Sequence, residues 1–369
     1  GGTWNLPAGT FLDQSELNQL EETGFHVIVE TPVGKLRGQI LPPEWELISV
    51  DLTAAATVPF SNAAGSAKAG VTYHPSRGSL RIRISTAGVT GAMGASVRGA
   101  IAGAFGDVDI TLEQSLSNTD VWGTDDINDP NRSTRLSLSG LDQIERGEFY
   151  LTVDTATHPD SAIRAQILTD GVATYETPLT DAEVVTSGAP VVSDGEATAI
   201  VTYKAATRDF GIALNTDRLN ATSVFVQTAP TGSVGAVIVT LMPDSRVPGN
   251  WYSSPGALTT ELADALENQE FYVSVYTPPF PDGELRGQIT LQDPVATARY
   301  EAVVDKSTTQ STDMSYSGGS MSLVTADNVL VTMNVPQYAV ADFTPFSMSE
   351  ITSVSGFPDG VKVLGAVQL

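Results

Sequence analysis

The chain contains no cysteine, so no disulfide braces it and no thiol chemistry is open to it. Positive charge is scarce as well. Nineteen Lys and Arg stand against 43 Asp and Glu, only five of the 19 are Lys, and the net charge is −24. Such a chain repels phosphate backbones and anionic headgroups, which argues against nucleic acid and membrane surfaces as partners. No apolar run approaches the 18 residues of a membrane-spanning helix, so no membrane insertion is expected. Histidine is limited to His26, His74 and His158. Without a His-x-His or HExxH pattern, no metal site and no cofactor are expected. No GxSxG elbow marks a nucleophile, and the expectation is a protein that is not an enzyme. The chain begins Gly1-Gly2 without Met or a charged-then-apolar leader, as in a processed secreted chain.

Aromatic residues make up 7% and charged residues 17% of the chain. Thr, Ser, Val, Ala and Gly abound, and β-branched residues suit a pleated surface. Few segments keep a 3.6-residue apolar stripe for more than two or three turns. The composition predicts an all-β chain of tandem antiparallel Greek-key sandwiches with short helical turns.

Three segments repeat: Phe25–Pro42, Phe149–Asp170 and Phe271–Gln292. Each reads as a hairpin. In the first, Phe25, Val27 and Val29 alternate with His26, Ile28 and Glu30, a turn follows, and Leu36, Gly38 and Ile40 lie on the second strand. His26 takes the position of Tyr150 and Tyr272. Each hairpin follows a Leu-containing, potentially helical stretch and, further upstream, a Trp (Trp4, Trp122, Trp251). Gly38, Ala165 and Gly287 are equivalent, 127 and 122 residues apart. The 38 residues up to Gly38 and the 82 after Gly287 make up one more period. The segment from Tyr300 through Val361, Val363 and Val367 to Leu369 matches the opening half of a copy. The expected organisation is a closing half (1–42), whole domains at 43–170 and 171–293, and an opening half (294–369).

The aromatic strand followed by Gly-Glu-Leu-Arg-Gly-Gln-Ile (Gly283 to Ile289) resembles the end of a CHRD domain, the module named from chordin and found in secreted bacterial proteins. The resemblance implies an extracellular β-sandwich of binding or structural character, without established catalysis. Members often carry a His-x-His element ahead of the Trp segment. Here the matching stretches are Ser96–Ala100, Phe225–Ala229 and Phe346–Glu350, none with a His pair, so no metal role carries over.

A half-sandwich would leave an apolar face and an unpaired strand edge in water. It can be completed within one chain, between chains, or by further tandem copies. Completion between chains is heterologous and propagates into a filament. It would use Trp4, Phe25, Val27, Val29, Leu36, Arg37, Gly38 and Ile40 on one side, and Tyr300, Val361, Val363, Val367 and Leu369 on the other. The leading expectation is therefore a secreted or surface-located homopolymer subunit. The rival is a binding module for a surface protein or glycan. Arg37, Arg164 and Arg286 recur at one hairpin position, as structural arginines or as a ligand row. Asp125, Asp126, Asn128 and Asp129 form a weak calcium candidate that lacks the EF-hand pattern, against a solvated turn. Asn131 and Asn220 head glycosylation sequons.

Overall fold

The computed structural model describes residues 13, 14, 20, 26–31, 34–42, 44–124, 127–128, 134–216, 219–291, 301–314, 319–324, 330–335, 344–355 and 367–368. The chain divides into two compact units, Glu44–Thr297 and a second comprising Gly1–Pro43 with Ala298–Leu369. In the second unit, β1 (His26–Thr31) and β2 (Gly34–Gln39) form an antiparallel hairpin in which His26 faces Gln39 and Ile28 faces Arg37 along the backbone.

Glu44–Thr297 holds two copies of one all-β, antiparallel sandwich. The first has β3 (Glu46–Leu52), β4 (Ser66–Tyr73), β5 (Ser79–Ala87), β6 (Ala92–Gly99), β7 (Asp107–Gln114), β8 (Val121–Gly123), β9 (Thr134–Arg135), β10 (Phe149–Thr155) and β11 (Ile163–Ile167). Their spatial order is β11-β10-β6-β7-β8-β5-β4-β3, with β9 beside β5. Alternation fixes which face is buried: in β4, Ala67, Ala69, Val71 and Tyr73 point inward while Ser66 and Lys68 meet solvent. These side chains pack with Ile82, Ile84, Val97, Leu151 and Ile163 from the other strands. Each such fully buried aliphatic side chain contributes about 1.5–3 kcal/mol.

The second copy repeats the plan with β12 (Val172–Leu179), β13 (Ala197–Lys204), β14 (Asp209–Asn215), β15 (Ser223–Thr228), β16 (Ala236–Thr240), β17 (Met242–Pro243), β18 (Asn250–Tyr252), β19 (Gly256–Ala257), β20 (Phe271–Thr277) and β21 (Phe280–Gln288). One sheet runs β12-β13-β14-β18-β17 and the other β16-β15-β20-β21. The expected Trp residues fall on matching short strands, Trp122 on β8 and Trp251 on β18.

A helix precedes each closing hairpin, at Leu138–Glu145 and Thr260–Glu267. The hydroxyls of Ser137 and Thr259 accept bonds from the backbone amides of Gly140 and Leu262, which caps the helix starts. Ile144 and Leu266 anchor the helices in the two cores.

The remaining strands are β22 (Glu301–Met314), β23 (Gly319–Val324), β24 (Leu330–Val335), β25 (Thr344–Ser355) and β26 (Val367–Gln368). Here β22 pairs β25, β25 pairs β26, and β23 pairs β24. This differs from the complete copies. There β6 and β15, the strands that β25 resembles in sequence, pair with the closing hairpin through β10 and β20. Among the described residues of 298–369 there is no such closing hairpin, and β25 lies against β22 instead.

Candidate functional site

In both complete sandwiches the recurrent arginine sits at the closing seam and is held twice. Its backbone bridges the last strand to the end of the first. Thr53 donates to the Arg164 carbonyl at 3.0 Å and Arg164 to the Thr53 carbonyl at 2.9 Å, and Thr180 and Arg286 repeat this at 2.8 and 2.9 Å. The bridge links the first strand of each sandwich to its last, β3 to β11 and β12 to β21.

The side chains form a clasp on the outer face of the same strands. The Arg164 guanidinium lies 3.5 Å from the centre of the Tyr150 ring, and that of Arg286 lies 3.6 Å from Tyr272. Arg164 donates to the carbonyls of Ala104 at 2.7 Å and Ile101 at 3.0 Å, in the loop after β6. Arg286 donates to Ser233, the counterpart of Ala104, at 2.8 Å. The tyrosine hydroxyls accept from the amides of Gly106 at 3.1 Å and Gly235 at 2.9 Å. A side chain at either glycine would collide with the carbonyl of Gly99 or Thr228.

Gln166 completes the first clasp, donating to the carbonyls of Ala100 and Gly147 at 2.7 Å each. Gln288 does the same for Ala229 at 3.2 Å and Gln269 at 2.6 Å. The Tyr-Arg-Gln set thus ties the closing hairpin both to the loop after the central strand and to the end of the helix. Arg164 is almost wholly buried, and that burial pulls its pKa down to about 10, so it stays charged at neutral pH. Its partners are neutral carbonyls and a ring, not a carboxylate.

The structural reading of these arginines is therefore the one the geometry favours at Arg164 and Arg286. The sequence pattern contained the arginine and the Gln-Ile ending but not their partners. The recurrence of Tyr at two of three hairpins was the signal for the third member. In the first hairpin, the backbone register of His26 and Gln39 matches Tyr150 with Gln166 and Tyr272 with Gln288.

A second constellation joins the two sandwiches. Only Leu168–Gly171 separates β11 from β12. Ile101 and Ala104, from the loop the clasp holds, pack with Ala213 on β14. Arg246, in the loop between β17 and β18, donates to Asp107 Oδ1 at 2.7 Å and to the Phe105 carbonyl at 3.0 Å, and lies 5.0 Å from the Phe105 ring centre. Its bonds to Asp244 raise its own pKa. Lys204 donates to the Glu145 carbonyl at 3.0 Å, and Arg146 approaches Asp209 at 3.6 Å. The face each sandwich contributes is different, so the contact is heterologous.

Arg246→Ala is expected to weaken this contact by about 1–2 kcal/mol. Asp107 is exposed and adds little, and most of the loss comes from the carbonyl bond and the ring contact. Amide exchange at residues 101–107 should quicken several-fold while peptides from β10 stay protected. Unchanged exchange there would assign the contact to Ile101, Ala104 and Ala213 alone.

Among the described residues no group of three or more His, Asp or Glu could hold a metal ion. Of the calcium candidate, Asp125, Asp126 and Asp129 lie outside the described residues. The Asn128 side chain ties its loop to the end of β7 and the turn after it, accepting from the Leu116 amide at 2.9 Å and donating to the Gln114 carbonyl at 2.9 Å. Of the completion residues, Val27 and Ile40 are exposed, whereas Val29, Leu36, Arg37, Gly38 and Val367 are described by their strands only. Trp4, Phe25, Tyr300, Val361, Val363 and Leu369 lie outside the described residues, as does Asn131. Asn220 is exposed. His74 is buried, 3.3 Å from Glu44 and edge-on to Trp45, while His158 contacts Asn62 in a loop.

A family model, that of the CHRD domain, matches residues 48–167 and again 175–289. The chain belongs to the CHRD family. No curated protein matches it, and no solved structure does. The two CHRD matches coincide with the two sandwiches that carry the clasp, and each ends at the strand bearing the Arg and Gln. No described helix is long and apolar enough to cross a membrane.

Proposed function

We propose that this CHRD protein is a non-catalytic, extracellular structural subunit that polymerises head to tail by completing a divided CHRD domain between chains. The observation that carries the reading is the clasp seam. In each complete domain the closing hairpin is stitched to the opening half through β6 or β15, the Thr–Arg bridge and the Tyr-Arg-Gln clasp. An opening half without its hairpin lacks all three. Residues 1–42 read as such a hairpin and residues 294–369 as such an opening half, in the reverse order of the complete copies. Residues 1–43 and 298–369 group in one compact unit, and the same association made between chains is an exchange of like parts.

The heterologous contact between the complete domains supports the same reading, since contacts of that kind stack units in series. The acidic composition suits a secreted location.

Deleting residues 1–42 tests it. The complete domains should stay folded while assembly, followed by sedimentation and negative-stain microscopy of the full chain beside the deletion, is lost. The 1–42 segment added as a peptide should shorten the fibres of the intact protein. Regular fibres from the deleted chain would overturn the mechanism. A full chain that stays monomeric at every concentration would point to a binding module instead.

A further inference from the structure

We propose that the first CHRD domain holds a small monovalent anion of the halide class on Arg98 and Ser96, at a site the second domain does not have. Ala95 and Val97 of β6 face the core, so Ser96 and Arg98 share the opposite face, yet both are more than nine-tenths buried. Neither the Ser96 hydroxyl nor Arg98 Nε has a hydrogen-bond partner among the described residues. The rest of the guanidinium has distant partners, the Phe105 ring centre lying 5.4 Å from it. Nη1 is 3.5 Å from the Gly106 carbonyl, and Nη2 is 3.9 Å from Asp154 Oδ2, outside hydrogen-bond reach.

Charge points the same way. Arg164 stands close enough for the two guanidinium groups to oppose each other, and its own partners are neutral. Asp154 is the carboxylate beside Arg98. It accepts a hydrogen bond from Thr152 at 3.0 Å, and burial raises its pKa. Of the two buried cations, Arg98 has this one carboxylate at 3.9 Å and Arg164 is bonded to neutral groups. A buried charge with open donors is costly unless a counter-charge or ordered molecule meets it. Water would satisfy the donors but leave the charge, whereas an anion answers both. Thr152 and Tyr150 oppose Ser96 and Arg98 across the strand, and this crowding limits the ligand to a small ion.

The second domain supplies the control. Gln227 and Phe225 take the places of Arg98 and Ser96. Gln227 is neutral and satisfied, donating to the Gly235 carbonyl at 3.0 Å and accepting from the Tyr276 hydroxyl at 3.2 Å.

The test is amide exchange of the full chain at constant ionic strength, with sodium bromide or chloride replacing sodium gluconate. Protection of β6 and β10 peptides should rise saturably, by about fivefold where the halide exceeds its dissociation constant severalfold. Peptides from β15 and β20 should not respond. Arg98→Gln should abolish the response, and Ser96→Ala, which leaves the charge in place, should shift its midpoint to higher halide. Crystals soaked in bromide should show an anomalous peak beside Arg98. Equal halide responses in the parent and Arg98→Gln, or no response with no peak, would overturn the assignment.

Discussion

Replacing Arg164 with alanine should destabilise the first domain by about 4 kcal/mol, a fall of roughly 15 °C in its unfolding midpoint. The substitution leaves the backbone bridge to Thr53 intact, so the loss isolates the side chain. Three hydrogen bonds from a charged donor disappear, and the carbonyls of Ala104 and Ile101 are left without it. The stacking on Tyr150 goes too, worth about 2 kcal/mol when desolvated. Relief of the buried charge offsets part of this. Arg164→Lys should recover little, because a lysine cannot lie flat on the ring while reaching two carbonyls. Arg286→Ala should cost less, about 2–3 kcal/mol, since Arg286 reaches one loop carbonyl and has a longer contact to Gln288. Domain-resolved amide exchange in the full chain separates the two. A loss below about 1 kcal/mol at Arg164, or a lysine variant as stable as the parent, would show that the clasp does not hold the seam.

If the chain polymerises as proposed, moving residues 1–42 to follow Leu369 should yield a monomer instead. In the second domain, Met242–Pro248 separate Leu241 from the Gly249-Asn250-Trp251 stretch that resumes the domain. A linker copied from these seven residues would join Leu369 to Gly1 and restore the order seen in the complete copies. Closing so short a loop costs little entropy. It also sets an effective concentration near the millimolar range, above any working concentration of free chains. Pairing within the chain then outcompetes exchange, and the rearranged protein should neither seed nor extend fibres of the parent. Fibres of unchanged morphology would mean that the divided domain does not join the subunits.

Much of the fold was legible because its signals are local and repeated. The hairpins, the helical stretches before them and the Trp strands recur at near-constant spacing, and each is a contiguous run of residue types. The recurrent arginine was visible for the same reason. Its partners were not, because they are main-chain carbonyls about 60 residues away, and a carbonyl has no residue signature. The contact between domains was hidden for a different cause. Arg246, Phe105 and Ala213 belong to one junction each and have no counterpart in the other copy, so a search for repetition passes over them. Arg98 was hidden likewise, since its meaning rests on being unlike Gln227. Asn128 looked like a ligand because an amide oxygen suits a cation, yet an amide also suits the loop amide and carbonyl that it bonds.

The four-residue junction between the CHRD domains has a mechanical consequence. Two bodies joined by a single short tether pivot about it. These two are also tied by Lys204 to the end of one helix and by Arg246 to Phe105 and Asp107. Bending the pair therefore requires stretching or breaking a tie, and the first to yield is the exposed Arg246–Asp107 pair, which salt screens. The stiffness of the domain pair should fall as ionic strength rises, and the apolar contact of Ile101 and Ala104 with Ala213 sets its floor.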